Sequence, residues 1–353
     1  MPTTTIEVHY PSRRGELGLR GSAAPLSWKE SLAPQERDGG RHRFTLDLPA
    51  GSVLELKPVL DGGRFSTGRN YNVLAGDTLV LQPTFEKTHG TLEEEVRSMP
   101  APQLGRAVRY RVFLPPSYDE YEERRYPVLY AQDGQALFTS SPDPIDGKSW
   151  RMDAALDELW ELGAMEEVLV VAVYTDFGRL EMLSPTADDR HGGGDGPGYR
   201  DFLIETLKPE VDARWRTLAG RGETALIGAS MGGLFSFFAA WTRPDVFGRA
   251  ACLSSSFWWG GRAMVREVQK GSCPFPRPWL YIDSGAAKNA LEEDANLRDG
   301  FEHTVALRTA LVSHCYVPGE DIHCLAYAGL SHDNDSWASR LAIPLQLLFP
   351  RRG

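Results

Sequence analysis

Alternating apolar and polar positions mark the first part of the chain. In Arg43-Phe44-Thr45-Leu46-Asp47-Leu48 and Val53-Leu54-Glu55-Leu56-Lys57 every second side chain is apolar, the period of a strand with one face on a core. Gly18-Leu19-Arg20-Gly21 and Thr78-Leu79-Val80-Leu81-Gln82 add strands, and Asp61-Gly62-Gly63 and Ala75-Gly76-Asp77 supply turns. A small all-β sandwich is therefore expected over residues 1–85. A charged connector follows over 86–105, in which Thr91-Leu92-Glu93-Glu94-Glu95-Val96 reads either as a short helix or as a covering strap. From 106 onward the pattern changes. Apolar strands over 107–114 and 126–131, a helix near 152–162, and the unbroken run Val168-Leu169-Val170-Val171-Ala172-Val173 alternate in the manner of a parallel sheet covered on both faces. The span 106–353 is expected to be an α/β domain.

Composition narrows the function. The 353 residues are 42% hydrophobic, enough for a sizeable core, and the charge balance of 38 Lys plus Arg against 48 Asp plus Glu gives −10. With no polybasic block, a nucleic-acid partner is not expected. No apolar run approaches the roughly 18 residues of a membrane span, and the first residues lack the charged start and apolar middle of a secretory signal, so a cytoplasmic location is expected. Cys252, Cys273, Cys315 and Cys324 form no CxxC pair, so neither a disulfide framework nor a zinc site is expected. His323 and Cys324 are adjacent and point to opposite faces of a strand, which speaks against joint ligation.

The sharpest chemical signal is Gly228-Ala229-Ser230-Met231-Gly232, entered from an apolar strand and left through the helical pattern Leu234-Phe235-Ser236-Phe237-Phe238. G-x-S-x-G between strand and helix is the context of a nucleophile elbow, with Ser230 as nucleophile. Glycines are needed at 228 and 232 because the tight turn brings strand and helix close together. A serine hydroxyl requires a base, and in this order the base follows the elbow. His303 and His314 flank an expected helix over 304–312 and His323 lies in a strand, whereas His332 occupies the loop between that strand and a terminal helix over 337–349. His332 is the expected base. The backbone N–H of Met231 is one expected oxyanion donor, and the turn after the strand 127–131, with Gln132 and Asp133, is the expected source of the second. Gln135 either adds a side-chain donor or caps the next helix. Trp258 and Trp259 are expected at the substrate pocket, one walling it and one packing inward. The loop 176–189, with Asp176, Arg179 and Glu181, and the Gly-rich stretch 191–198 either shape that pocket or are solvated surface.

Tyr110-Arg111-Val112-Phe113-Leu114-Pro115-Pro116, Tyr126-Pro127-Val128-Leu129-Tyr130-Ala131-Gln132-Asp133-Gly134-Gln135, the elbow, Leu253-Ser254-Ser255-Ser256-Phe257-Trp258-Trp259 and Ser331-His332-Asp333-Asn334-Asp335-Ser336-Trp337 together resemble the putative-esterase branch of the α/β-hydrolases, the enterochelin-esterase-like and esterase D-like group. The resemblance implies the α/β-hydrolase fold, a doubly wound, mostly parallel sheet. It also implies a Ser-His-Asp mechanism through an acyl-enzyme on a small-molecule ester, with no metal or organic cofactor. For the acid, relatives commonly place a carboxylate just after the glycine ending the strand, but here Gly285 is followed by Ala286-Ala287-Lys288. Relatives also carry an aspartate shortly before a Thr-x-x-Leu helix start, and Asp299 fits that spacing; Asp294, Asp283, Glu292 and Glu293 remain alternatives, as does a Ser-His dyad. A helix N-cap is the structural reading of Asp299. The N-terminal stretches Leu19-Arg20-Gly21, Pro25-Leu26-Ser27-Trp28, Leu54-Glu55-Leu56-Lys57 and Gly68-Arg69-Asn70-Tyr71 resemble starch-binding-type and early-set sandwiches, which implies a carbohydrate partner unless Trp28 and Tyr71 are packing residues. Two further functional readings stay open: an acyltransferase of the same fold, and a carbohydrate-binding protein with an auxiliary hydrolase domain. The sandwich also offers a surface for a homo-oligomer.

Overall fold

The computed structural model describes residues 1–141, 147–175, 178–286 and 299–351. In the first part of the chain, Thr3–His9 pairs antiparallel with Arg41–Asp47 and parallel with Thr78–Leu81. A second sheet sets Val53–Leu60 against Leu17–Gly21, Arg64–Phe65 and Tyr71–Leu74. Every second residue of Arg41–Asp47 is buried, and Phe44 and Leu46 meet Ile6, Val8, Leu54 and Leu56 between the sheets. Tyr71 is only partly buried against this core, while Trp28 is 37% exposed beside Phe65, so the packing expectation fails for Trp28. The seam with the second part is polar and specific. Buried Glu120 accepts the Tyr10 hydroxyl at 2.7 Å and the Phe85 N–H, and the Tyr121 hydroxyl donates to the Pro83 carbonyl at 2.6 Å.

The second part is built on a nine-stranded sheet. Its order runs Arg97–Ala101, Arg106–Leu114, Leu169–Val173, Val128–Ala131, Thr224–Ala229, Arg249–Leu253, Trp279–Ala286 and Ile322–Ala328, with Thr91–Leu92 also on Arg106–Leu114. From Leu169–Val173 onward all neighbours are parallel. The charged stretch after the sandwich thus contributes edge strands at Thr91–Leu92 and Arg97–Ala101, and its helical alternative is corrected. Two cores lie on opposite sides because successive strand residues point opposite ways. Leu226 and Val171 join the helix Met231–Thr242 in one, and Ala225, Ile227 and Val170 join Met152–Glu161 and Ala342–Leu348 in the other.

Cys273 and Cys315 are joined by a disulfide, their Cα atoms 6.4 Å apart, a single bridge where the sparse cysteines led to no expectation of a disulfide framework. The cysteines are 42 residues apart in sequence, a spacing with no local signature. Cys252 is buried and Cys324 half-buried. No helix among the described residues is long and apolar enough to cross a membrane.

Candidate active site

Ser230 follows the central strand Thr224–Ala229 and opens the helix Met231–Thr242 with φ 57° and ψ −122°, outside the ordinary regions for a side chain with a Cβ. The bend is held from both sides. The Ser230 N–H donates to the Leu253 carbonyl at 3.0 Å, and the Ser256 N–H donates to the Ser230 carbonyl at 3.0 Å. A Cβ on Gly228 would collide with the Gly232 backbone, which makes glycine a steric requirement there, while one on Gly232 would press on the Gln132 side chain at 3.1 Å and the Asp133 carboxylate at 3.2 Å. Met231 is the first helical residue, so its N–H has no intrahelical acceptor and stands beside the nucleophile.

His332 lies between Ile322–Ala328 and the helix Asn334–Arg340, so the expected single terminal helix is two, the second being Ala342–Leu348. The Asp333 carboxylate caps the first by accepting the Ser336 N–H at 2.8 Å, fixing the turn that carries His332. The imidazole Nε2 is 2.9 Å from Ser230 Oγ and Nδ1 is 2.6 Å from Asp299 Oδ1. Trp337 sets its indole edge-on to the imidazole, centroids 5.1 Å apart. Ser256 Oγ is 3.3 Å from Ser230 Oγ.

Asp299 is fully buried, and its second oxygen accepts the Ser254 hydroxyl at 2.5 Å and the Gly285 N–H. It does not cap Phe301–His314, whose N-cap position is Gly300 with no side-chain cap, so the purely capping alternative is corrected. Asp283, the alternative within the described residues, turns instead to Arg340, which donates Nε to Oδ2 at 3.0 Å and Nη2 to Oδ1 at 3.1 Å. Burial raises the Asp283 carboxyl pKa above its ordinary value, with Arg340 opposing it. Glu292, Glu293, Asp294 and Asp176 lie outside the described residues.

Several expected site residues have other work. The Gln132 N–H donates to the Ile227 carbonyl at 2.9 Å as a continuation of the sheet ladder, so Gln132 is corrected as an oxyanion donor. Asp133 takes a left-handed turn, and its buried carboxylate is clamped by Arg179 Nε at 2.7 Å and Nη2 at 2.8 Å and by the Thr175 hydroxyl. Burial pushes that carboxyl up, but Arg179 and the hydrogen bonds outweigh it and hold it below the usual range. The half-buried Gln135 amide holds the same turn together, accepting the Thr175 N–H at 3.2 Å and donating to Asp133 at 3.3 Å. Trp259 is 1% exposed and donates its indole N–H to the Thr186 carbonyl, which removes it from the pocket surface, while Trp258 stays half-buried against His191 and Trp259. The Gly-rich loop is pinned, with the Gly194 N–H on Ser184 Oγ at 2.7 Å and the Gly192 N–H on the Asp188 carbonyl at 2.8 Å. Sequence reasoning missed Ser254, Trp337 and Arg340. The last two stand at i and i+3 on the helix after His332, the one signal that could have flagged them.

A family model described as "Putative esterase" matches residues 101–346. The chain belongs to this esterase family. Within it, the chain is an ester hydrolase of the enterochelin-esterase-like type. It is 30% identical over 151 residues to the siderophore triacetylfusarinine C esterase of Aspergillus fumigatus, covering 40% of this chain and 48% of that one. It is 27% identical over 192 residues to the uncharacterized protein YbbA of Bacillus subtilis, covering 52% and 72%. The chain thus spans about half the length of the Aspergillus relative. The enterobactin esterase of Shigella flexneri superposes with TM-score 0.56 at 15% identity over 94% of this chain and 87% of that one, a likeness of fold that includes the N-terminal sheets.

Proposed function

We propose that the protein is a serine carboxylic-ester hydrolase in which Ser230 attacks the ester carbonyl, His332 moves the proton and Asp299 orients and balances the imidazole. One observation carries this reading: the continuous path from Ser230 Oγ through His332 to Asp299, at 2.9 and 2.6 Å, around a serine in a strained turn. His332 Nε2 accepts the Ser230 proton as Oγ bonds to carbon, and gives it to the departing alkoxide as the tetrahedral adduct collapses to an acyl-enzyme. Water repeats the sequence and frees the acid. The Met231 N–H faces the developing oxyanion, and the second donor is a backbone N–H of the turn formed by Asp133, Gly134 and Gln135, since that of Gln132 is engaged. Met231 heads a helix whose N-terminal end favours the same negative charge.

For substrate, the likeness to the siderophore triacetylfusarinine C esterase of Aspergillus fumigatus supports a siderophore-type ester. The test is a series of p-nitrophenyl esters of graded acyl length, with triacetylfusarinine C alongside, given to wild type and Ser230→Ala. Hydrolysis is expected of wild type alone, and equal rates for the two proteins overturn the assignment.

A further inference from the structure

Two buried carboxylates, Asp283 and Asp299, share one buried guanidinium, that of Arg340. Arg340 lies bidentate on Asp283 at 3.0 and 3.1 Å, with Nη2 also 3.7 Å from Asp299 Oδ2. With both carboxylates ionised and His332 neutral, the group would carry two negative charges and one positive, a net of −1. Once His332 takes the serine proton, the same group is balanced.

Between guanidinium and acid stands Ser254. Its Oγ receives Arg340 Nη2 at 2.5 Å and the Trp337 indole N–H at 3.0 Å, and lies 2.5 Å from Asp299 Oδ2. A hydroxyl has one hydrogen and two acceptor sites, and both arginine and indole only donate. Both acceptor sites of Ser254 are thus filled, and its one hydrogen has no direction left except Asp299. The backbone reinforces this: Ser254 sits at φ 42°, a left-handed conformation costly for serine, with its N–H on the Asp283 carboxylate at 3.0 Å.

We infer that Arg340 is a positioning residue for ester hydrolysis: it neutralises Asp283 and, through the Ser254 hydroxyl, fixes the Asp299 carboxylate so that Oδ1 faces His332. The inference rests on the triad reading above. It explains why two carboxylates in one pocket divide their work. Asp283 is taken up by Arg340, and Asp299 keeps Oδ1 for His332. It also explains why an arginine of the helix Asn334–Arg340 is only 3% exposed, since Trp337 and Arg340, one turn apart, reach the same oxygen.

The experiment uses the full chain with p-nitrophenyl acetate. Arg340→Met alone strands a buried Asp283, so the deciding variant is Asp283→Asn with Arg340→Met, which removes both charges together. Losing a hydrogen-bond relay onto a charged group predicts a fall in kcat of about 10- to 100-fold with KM within about twofold. Ser254→Ala is expected to show the same split. Adding Ser254→Ala to the double variant is expected to lower kcat no further, because both changes act through the same oxygen. A double variant with wild-type kcat overturns the inference, as does a loss carried by KM or a fully additive triple variant. Should the double variant fail to fold, Ser254→Ala decides alone, and wild-type kcat there overturns the inference. Ser230→Ala separates the two levels: if it keeps wild-type turnover the hydrolase reading falls, whereas an inactive Ser230→Ala beside a fully active double variant removes only the role of Arg340.

Discussion

Asp299→Asn is the substitution whose outcome the hydrogen bonds determine most closely. The native carboxylate uses Oδ2 to accept from the Ser254 hydroxyl and the Gly285 N–H, and Oδ1 to meet His332 Nδ1. An asparagine keeps one oxygen and gains an NH2 group. At the Oδ2 position two donors already point inward, and the Ser254 hydrogen cannot turn away because Arg340 and Trp337 occupy its acceptor sites. The amide oxygen must therefore sit at the Oδ2 position, which puts the NH2 against Nδ1. A neutral imidazole facing a donor at Nδ1 carries its hydrogen on Nε2, the atom 2.9 Å from Ser230 Oγ, and can no longer accept the serine proton. Wrong-tautomer variants of this kind lose about 10,000-fold in kcat in a serine protease triad, and a loss on the order of 1,000- to 10,000-fold is expected here. KM should hold, since no group facing the acyl chain changes. The assay is p-nitrophenyl acetate turnover, with fluorophosphonate labelling of Ser230 as an independent measure of nucleophile activation. Turnover within about threefold of wild type would refute the orientation argument and return Asp299 to a structural role.

The disulfide fixes a thiol count: denatured, unreduced protein should show the thiols of Cys252 and Cys324 alone to Ellman's reagent, and reduction should release Cys273 and Cys315 as well. In the native state Cys252 should stay silent, being buried with its thiol pKa pushed up, while Cys324, pushed up to about 11 by burial, should react slowly. All thiols reacting before reduction would refute the pairing. Arg179→Met should destabilise the fold by roughly 1 to 3 kcal/mol at neutral pH, because it leaves buried Asp133 with only Thr175 and Gln135 while the lost partner is itself partly solvent-screened. The sign with pH follows from the pKa. Native Asp133 is held below its ordinary value, so its pairing stabilises above the unfolded pKa and is lost as pH falls through the folded one. In the variant burial wins, the pKa rises, and stability falls as pH rises through about 4. Melting temperatures from pH 3 to 8 read this, and a deficit independent of pH would refute it.

What the sequence discloses depends on how local each cause is. The elbow is legible because a strand, two closely spaced glycines and a helix lie within a dozen residues of Ser230, and the loop of His332 because strand and helix periods bracket it. Asp299 is reachable only through resemblance, since nothing in its neighbourhood says which way its carboxylate faces. Gln132 misleads because its N–H is consumed by parallel register with Ile227, a partner nearly a hundred residues away. Cys273 with Cys315, and Ser254 with Arg340 and Trp337, are invisible for the same reason: each is a contact between distant segments whose local patterns are those of ordinary loops and helices.

Backbone strain ties these pieces together. Among the described residues, non-glycine positions with positive φ are Asp61, Asp133, Arg151, Ser230, Ser254, Arg262 and Asp299. Asp133, Ser230 and Ser254 follow the C-terminal ends of three adjacent parallel strands, Val128–Ala131, Thr224–Ala229 and Arg249–Leu253, and Asp299 returns to the end of the next, Trp279–Ala286, through the Gly285 N–H. A left-handed residue at a strand end turns the chain sharply enough for its own side chain to stay above the sheet edge instead of continuing along the strand. Each such residue costs on the order of 1 to 3 kcal/mol, so four together are sustained only by a frame that over-determines them. The frame here is two fully buried cores on either face of the sheet, and the buried Asp283–Arg340 pair beneath the loops. The rigidity that places an imidazole 2.9 Å from a serine hydroxyl is therefore a property of the sheet's packing, transmitted through four strained turns, more than of the loops themselves.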